Sequence, residues 1–332
     1  YRLPRAIARS HFGSSLEFHV MCDDVVLVTG GRGLVGRALQ AVKDRWDAEW
    51  HFVHSGDADL TDLASTHTLF EAVKPTVVIH LAARVGGLFA NMADQIGFFE
   101  QNLAINQNVV KCCHAHDVAR AIFCLSTCVF PAVVELPMNE KHIHEGPPHP
   151  SNEGYAYSKR MLECLVRYYR QAHQREWLCV IPTNIYGPHD NFSLQDGHVV
   201  PALIHKCYVA SRDQTAFTVA GSGKPLRQFV YSEDLARAII SFLQKDHCKK
   251  NSSVIVCPDD GDELSIEEVA STIAGAFGFS GAVELDPSRA DGIFRKTASN
   301  LELRRLLGEE FRFTSFADGI SKTVEWFRDK TL

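Results

Sequence analysis

Long apolar runs are missing from this 332-residue chain: nothing in it nears the roughly 18 apolar residues that read as a membrane span. Its ten cysteines form no CxxC pair and no Cys/His cluster at zinc-finger spacing. Cys112 and Cys113 are adjacent, and Cys124 and Cys128 lie four apart, which suits neither a disulfide framework nor a metal site. The thiols therefore read as small buried hydrophobes of a reducing compartment, and no metal is expected. Nor is there an excess of positive charge. With 34 basic and 40 acidic side chains the net charge is −6, without the broad positive field that nucleic-acid binding needs. Internal repeats and low-complexity tracts are absent too. What remains, 45% hydrophobic and 22% charged, is the composition of a folded, soluble protein with no membrane or nucleic-acid partner.

Residues 1–20, ahead of Met21, carry Arg2, Arg5 and Arg9 against one acid, Glu17, and read as a leader or added extension without fixed structure. The expected compartment is the cytoplasm, or an organelle if that leader is a genuine targeting sequence. Beyond it, apolar runs at Val25 to Val28, Trp50 to Val53, Thr76 to His80, Ala121 to Leu125 and Leu178 to Ile181 alternate with helical stretches. The helical stretches are Ser65 to Val73, Phe98 to His116 and Tyr155 to Gln174. Strands alternating with helices build βαβ units, hence an α/β fold with a doubly wound Rossmann-type parallel sheet over residues 21–182. After Pro182 shorter elements follow, with a capping box at Ser265 to Glu268 and a last amphipathic stretch from Phe316 to Phe327. Residues 183–332 read mainly as a smaller substrate-binding lobe at the sheet's carboxyl edge, with some segments returning to the main domain.

Thr29-Gly30-Gly31-Arg32-Gly33-Leu34-Val35-Gly36 sets glycines at the first, fourth and seventh positions of a strand-turn-helix junction. That is the arrangement in which a tight turn, a close backbone approach and a helix N-terminus hold a pyrophosphate. The strand Trp50 to Val53 ends in His54-Ser55-Gly56 with no carboxylate at its tip, which disfavours a free ribose 2′-hydroxyl and points to NADP(H) over NAD. His54 and Ser55 can donate hydrogen bonds to a 2′-phosphate, although Asp57 is close and the tip has no arginine.

Tyr155 and Lys159 are four apart on a helix and so share a face. An ammonium beside a phenol lowers its pKa, readying the tyrosine to exchange a proton with a substrate oxygen. With Ser126 after the strand Ala121 to Leu125, and the glycine fingerprint upstream, this set resembles the extended short-chain dehydrogenase/reductase superfamily. Cys128, two residues on, stands where dehydrating members carry an acid. By itself it reads as a core cysteine.

Leu81-Ala82-Ala83-Arg84-Val85-Gly86-Gly87, Ile181-Pro182-Thr183-Asn184-Ile185-Tyr186-Gly187-Pro188-His189-Asp190-Asn191-Phe192 and Gly197-His198-Val199-Val200-Pro201-Ala202-Leu203 make the resemblance narrower. From Val25 to Phe327 the chain resembles the GDP-L-fucose synthase family. The resemblance implies NADPH-dependent 3,5-epimerisation and 4-keto reduction of GDP-4-keto-6-deoxy-D-mannose. It implies Tyr155 as proton donor to the C4 oxygen, Lys159 as its partner, Ser126 as a hydrogen-bond donor, Cys128 as the base and His198 as the acid for inversion at C3 and C5. It extends the cofactor set to Asp59, Leu60, Leu81, Ala82, Ala83, Leu125, Pro182, Asn184, Ile185 and His198. For the GDP-sugar it implies Asn184, Val200, Lys206, Arg227, Asp291 and Lys296, and it implies a homodimer through Phe98 to His116 and Tyr155 to Tyr169. One departure is Ala220, where such chains usually carry a tryptophan. Another nucleotide-sugar epimerase or reductase, and a catalytically silent NADP-binding protein, are the alternatives.

Overall fold

The computed structural model describes residues 24–244, 248, 252–289 and 291–331, so the leader expected over residues 1–20 lies outside the described residues. The chain runs through β1 (Val25–Thr29), α1 (Leu34–Val42), β2 (Glu49–Val53), α2 (Leu63–Val73), β3 (Val77–His80), α3 (Leu88–Ala93), α4 (Gln95–Ala115), β4 (Arg120–Cys124), α5 (Glu153–His173) and β5 (Glu176–Pro182). Then follow β6 (Asn184–Tyr186), α6 (Val199–Asp213), β7 (Phe217–Ala220), β8 (Leu226–Arg227), β9 (Phe229–Tyr231), α7 (Ser232–Gln244) and β10 (Ser253–Val256). The last elements are β11 (Leu264–Ser265), α8 (Ile266–Phe277), β12 (Val283–Asp286), α9 (Leu301–Leu307) and α10 (Phe316–Thr331).

β1, β3, β4 and β5 are near-continuous apolar runs because helices cover both faces of a parallel sheet. The six-stranded order is β10-β5-β4-β3-β1-β2, with Val26 level with Trp50 of β2 and with Val77 of β3. One face packs on α1, α7 and α9, the other on α2, α4 and α5. A sixth strand, β10, reaches this sheet from beyond residue 182, and α7 and α9 pack beside it. The rest of the later chain builds a separate apolar cluster around α6, α8 and α10. Three two-stranded pairs, β6-β9, β7-β12 and β8-β11, accompany it.

Local chemistry sets the helix limits. Asp94 accepts from Gly97 N at 2.9 Å and so starts α4 three residues before Phe98. Gln174 adopts a left-handed φ of 52°, which stops α5 at His173. The Ser265–Glu268 capping box starts α8. Among the described residues no helix is long and apolar enough to cross a membrane.

Trp177 is the largest fully buried side chain, edge-on to Phe123 at 5.7 Å, with its indole N–H donated to Val118 O at 3.1 Å. Trp177→Ala should cost about 3–5 kcal/mol, read as a lower urea midpoint. A midpoint equal to wild type would show that the sheet core does not depend on this ring.

Candidate active site

Strands on either side of β1 are built by chain runs going opposite ways, and the carboxyl ends of β1 and β3 part at that switch point. A cavity of about 1270 Å³ opens there and continues under the smaller lobe. Its floor is the glycine loop. Gly30 has a left-handed φ of 71°, and a Cβ on it would lie 2.9 Å from Ala82 N. A Cβ on Gly36 would lie 2.6 Å from Gly30 O, so α1 can approach β1 only at glycine. Arg32, Gly33, Leu34, Val35 and Gly36 line the cavity, and Gly33 starts α1 without a side-chain cap. The first amides of α1 thus present the positive end of a helix to the wall. Gly31 departs from expectation. It packs against Phe52 and donates its N–H to Val53 O at 2.8 Å, away from the wall.

His54, Ser55, Asp59 and Leu60 line the adjoining rim. His54, expected as a donor, is held within its own turn. Its Nδ1 accepts from Gly56 N at 2.9 Å and its Nε2 lies 3.3 Å from Asp57 Oδ2, so both ring nitrogens are engaged. Asp57 also accepts from His54 N, and Asp59 accepts from Thr61, so both nearby carboxylates face their own turns. The Ser55 hydroxyl and the exposed Arg32 guanidinium remain for an anion. Together with the uncapped helix start, they fit a dinucleotide with a phosphorylated ribose.

Ser126 follows β4 and caps a short 3₁₀ turn, Thr127–Val129, accepting from Cys128 N at 3.4 Å. Tyr155 and Lys159 reach the same wall from α5, beside Leu125, Ser126 and Cys128. The Lys159 ammonium lies 5.8 Å from the Tyr155 ring centre and donates to Cys124 O at 2.8 Å. Burial depresses this lysine's pKa, opposed by the thiols of Cys124, Cys128 and Cys179. The phenol departs from the expectation of a lowered pKa. Burial, then the charges Cys128 and Cys124 would carry, push Tyr155 well up. Burial also raises the Cys128 thiol, opposed by Ser126, Lys296 and Lys159 in that order.

Beneath the wall runs a directed polar chain. Asn106 donates Nδ2 to Ser158 O at 3.3 Å and pairs through Oδ1 with His80 Nε2 at 3.1 Å. Since Oδ1 only accepts, Nε2 carries the hydrogen, and Nδ1 accepts from Thr29 Oγ1 at 2.8 Å. That hydroxyl in turn accepts from Leu81 N and Ala82 N. Burial, and then Lys159's charge, push His80 down to about 3, against its Asn106 bond.

At the far end Pro182, Thr183, Asn184, Ile185, His198 and Val200 line the cavity with Arg227 and Phe229. Lys296 lies off the wall but close enough that Arg227 and Cys128 shift it, while burial, the larger effect, lowers it. Two expected substrate residues sit elsewhere. Lys206, on α6, is not on the wall, and Asp291 holds Ser222 N at 2.8 Å and Ser222 Oγ at 2.6 Å, bracing two loops. Asp190 escapes sequence reasoning. It lines the cavity with one oxygen on Asn191 N, while Oδ2 has no partner among the described residues. Burial raises it, and His198 opposes that rise. Only the Gly-Pro-His-Asp turn hinted at it, because loop 190–197 decides which acid meets His198.

The neutral His80 gives a pH signature. The unfolded chain protonates this imidazole below about 6.5, whereas the folded protein refuses the proton until about 3. Its stabilisation is full above 6.5 and is lost as the pH falls toward 3. His80→Gln should therefore flatten the decline in urea midpoint over that window by about one proton. Parallel wild-type and variant profiles would overturn this.

A family profile described as NAD dependent epimerase/dehydratase matches residues 26–257. A GDP-L-fucose synthase of Dictyostelium discoideum is 48% identical over 92% of this chain and 95% of its own. A probable GDP-L-fucose synthase of Drosophila melanogaster is 45% identical over 91% and 96%. The crystal structure of a GDP-L-fucose synthetase from Naegleria fowleri, bound to NADP, superposes with a TM-score of 0.87 at 45% identity, covering 93% of this chain and 94% of that one. With near full-length similarity and one fold, the chain belongs to the NAD-dependent epimerase/dehydratase family and, within it, to the GDP-L-fucose synthases.

Proposed function

We propose that this chain carries out NADPH-dependent 3,5-epimerisation and 4-keto reduction of GDP-4-keto-6-deoxy-D-mannose to GDP-L-fucose. The observation that carries this reading is one cavity shared by the dinucleotide cradle, Ser126, Cys128, Tyr155, Lys159, His198 and Arg227. The C4 ketone acidifies the C–H bonds at C3 and C5. Cys128, as thiolate, removes each proton from one face, leaving an enolate whose oxygen is held by Ser126 and Tyr155. His198 returns a proton from the opposite face, so each centre inverts, and between the two inversions Cys128 gives its proton to solvent and His198 takes one up. Reduction then uses the hydride that bound NADPH supplies. Tyr155 delivers its phenolic proton to the C4 oxygen, and Lys159 holds the nicotinamide ribose and compensates the phenolate.

Burial makes both Tyr155 and Cys128 reluctant to ionise. For Tyr155 that suits a group which starts protonated and gives its proton only when an oxygen gains charge. For Cys128, Lys296 and Lys159 supply the positive surroundings a thiolate needs. Arg227 and Lys296 would take the diphosphate, with Asn184 and Val200 along the sugar. The homodimer belongs to this reading, supported by exposed Ile96 on α4 and Met161 and Tyr168 on α5. So does work in the cytoplasm, supported by free thiols throughout the described cysteines.

Cys128→Ser should slow deuterium incorporation from solvent at C3 and C5 by about 100-fold or more, while ketone reduction persists. Unchanged incorporation would place the base elsewhere. Tyr155→Phe should cut NADPH oxidation with the 4-keto sugar by about 100-fold and leave NADPH binding intact. Oxidation at the wild-type rate would remove Tyr155 from the proton-donor role.

A further inference from the structure

Phe294 is 61% exposed and adjoins Arg227, which lines the cavity. The short segment around it is firmly fixed. Asp291 clasps Ser222, Leu226 N donates to Phe294 O at 2.8 Å, and Arg227 Nη1 reaches the same oxygen at 3.5 Å. Arg295 forms a parallel β-bridge with Leu226, just after a bend at Phe294. Arg295 turns to Glu263, with Nε 2.9 Å from Oε2. Lys296 follows, close enough to Arg227 and Cys128 for their charges to act on it. Phe294 is two residues from Lys296, so their Cα atoms lie within roughly 7 Å of each other.

We propose that Phe294 is the platform on which the base of a nucleoside diphosphate stacks. The inference rests on the reading above, in which Arg227 and Lys296 take the diphosphate. The base of such a ligand lies one ribose further out from the diphosphate, within reach of an exposed ring beside Arg227 and two residues from Lys296. Ala220, next to the Gly221 that abuts the Asp291 carboxylate, is also exposed but offers only a methyl group. A ring held by backbone bonds needs little reordering on binding. Because any base has a π-face, the platform supplies affinity without choosing guanine.

Equilibrium binding of GDP, UDP, ADP and inorganic pyrophosphate to wild type, Phe294→Ala and Phe294→Tyr tests this. Phe294→Ala should weaken GDP by about fivefold or more, leave pyrophosphate unchanged, and be rescued by tyrosine. Equal GDP affinity in wild type and Phe294→Ala, or an equal loss for pyrophosphate, overturns the platform alone. Wild type that ignores GDP but binds UDP or ADP, with the same loss in Phe294→Ala, keeps the platform and overturns the guanosine reading. Wild type that binds no nucleoside diphosphate overturns both.

Discussion

The buried chain from Ser158 O through Asn106 and His80 to Thr29 ties together the elements that must meet for chemistry. It starts on the helix that carries Tyr155 and Lys159, and it ends where β1 turns into the glycine loop. Every group in it has one direction in which its hydrogen can point, and only a neutral His80 completes the set. Low dielectric makes such a chain strong when complete and costly when broken. The distance between the glycine loop and α5 is thereby held by hydrogen bonds as well as by packing.

That same burial shapes the reactive groups. Lys159 is 2% exposed and Cys128 8%, and each resists its charged form. A tyrosine kept protonated, a thiol set between burial and two nearby ammonium groups and a lysine with one fixed carbonyl partner form a site suited to proton exchange. The cations at the other end, Arg227 and Lys296, are desolvated too, which strengthens their attraction for a dianionic diphosphate.

Much of this was legible in the linear chain. Glycine spacing between an apolar run and a helix announces the loop because only glycine tolerates the approaches at Gly30 and Gly36. Tyr155 and Lys159 declare themselves through helical spacing, and Ser126 through its place after a strand. Gly31, His54 and Asp291 carry suitable chemistry at suitable positions, but in this structure each meets a partner set by a remote or neighbouring segment. Asp190 is the converse, a residue of ordinary sequence surroundings that loop 190–197 carries to His198.

By itself, then, the sequence determined the doubly wound sheet, the cofactor edge and the Ser-Tyr-Lys set, because periodicity, turn chemistry and helical spacing act over a few residues. Tertiary structure decided how β10 completes the sheet and which of the candidate polar groups face the cavity. It also decided that the Tyr155 phenol is raised where its neighbouring ammonium alone would lower it. Those outcomes depend on desolvation and on hydrogen-bond partners dozens of residues away, and no local pattern encodes either.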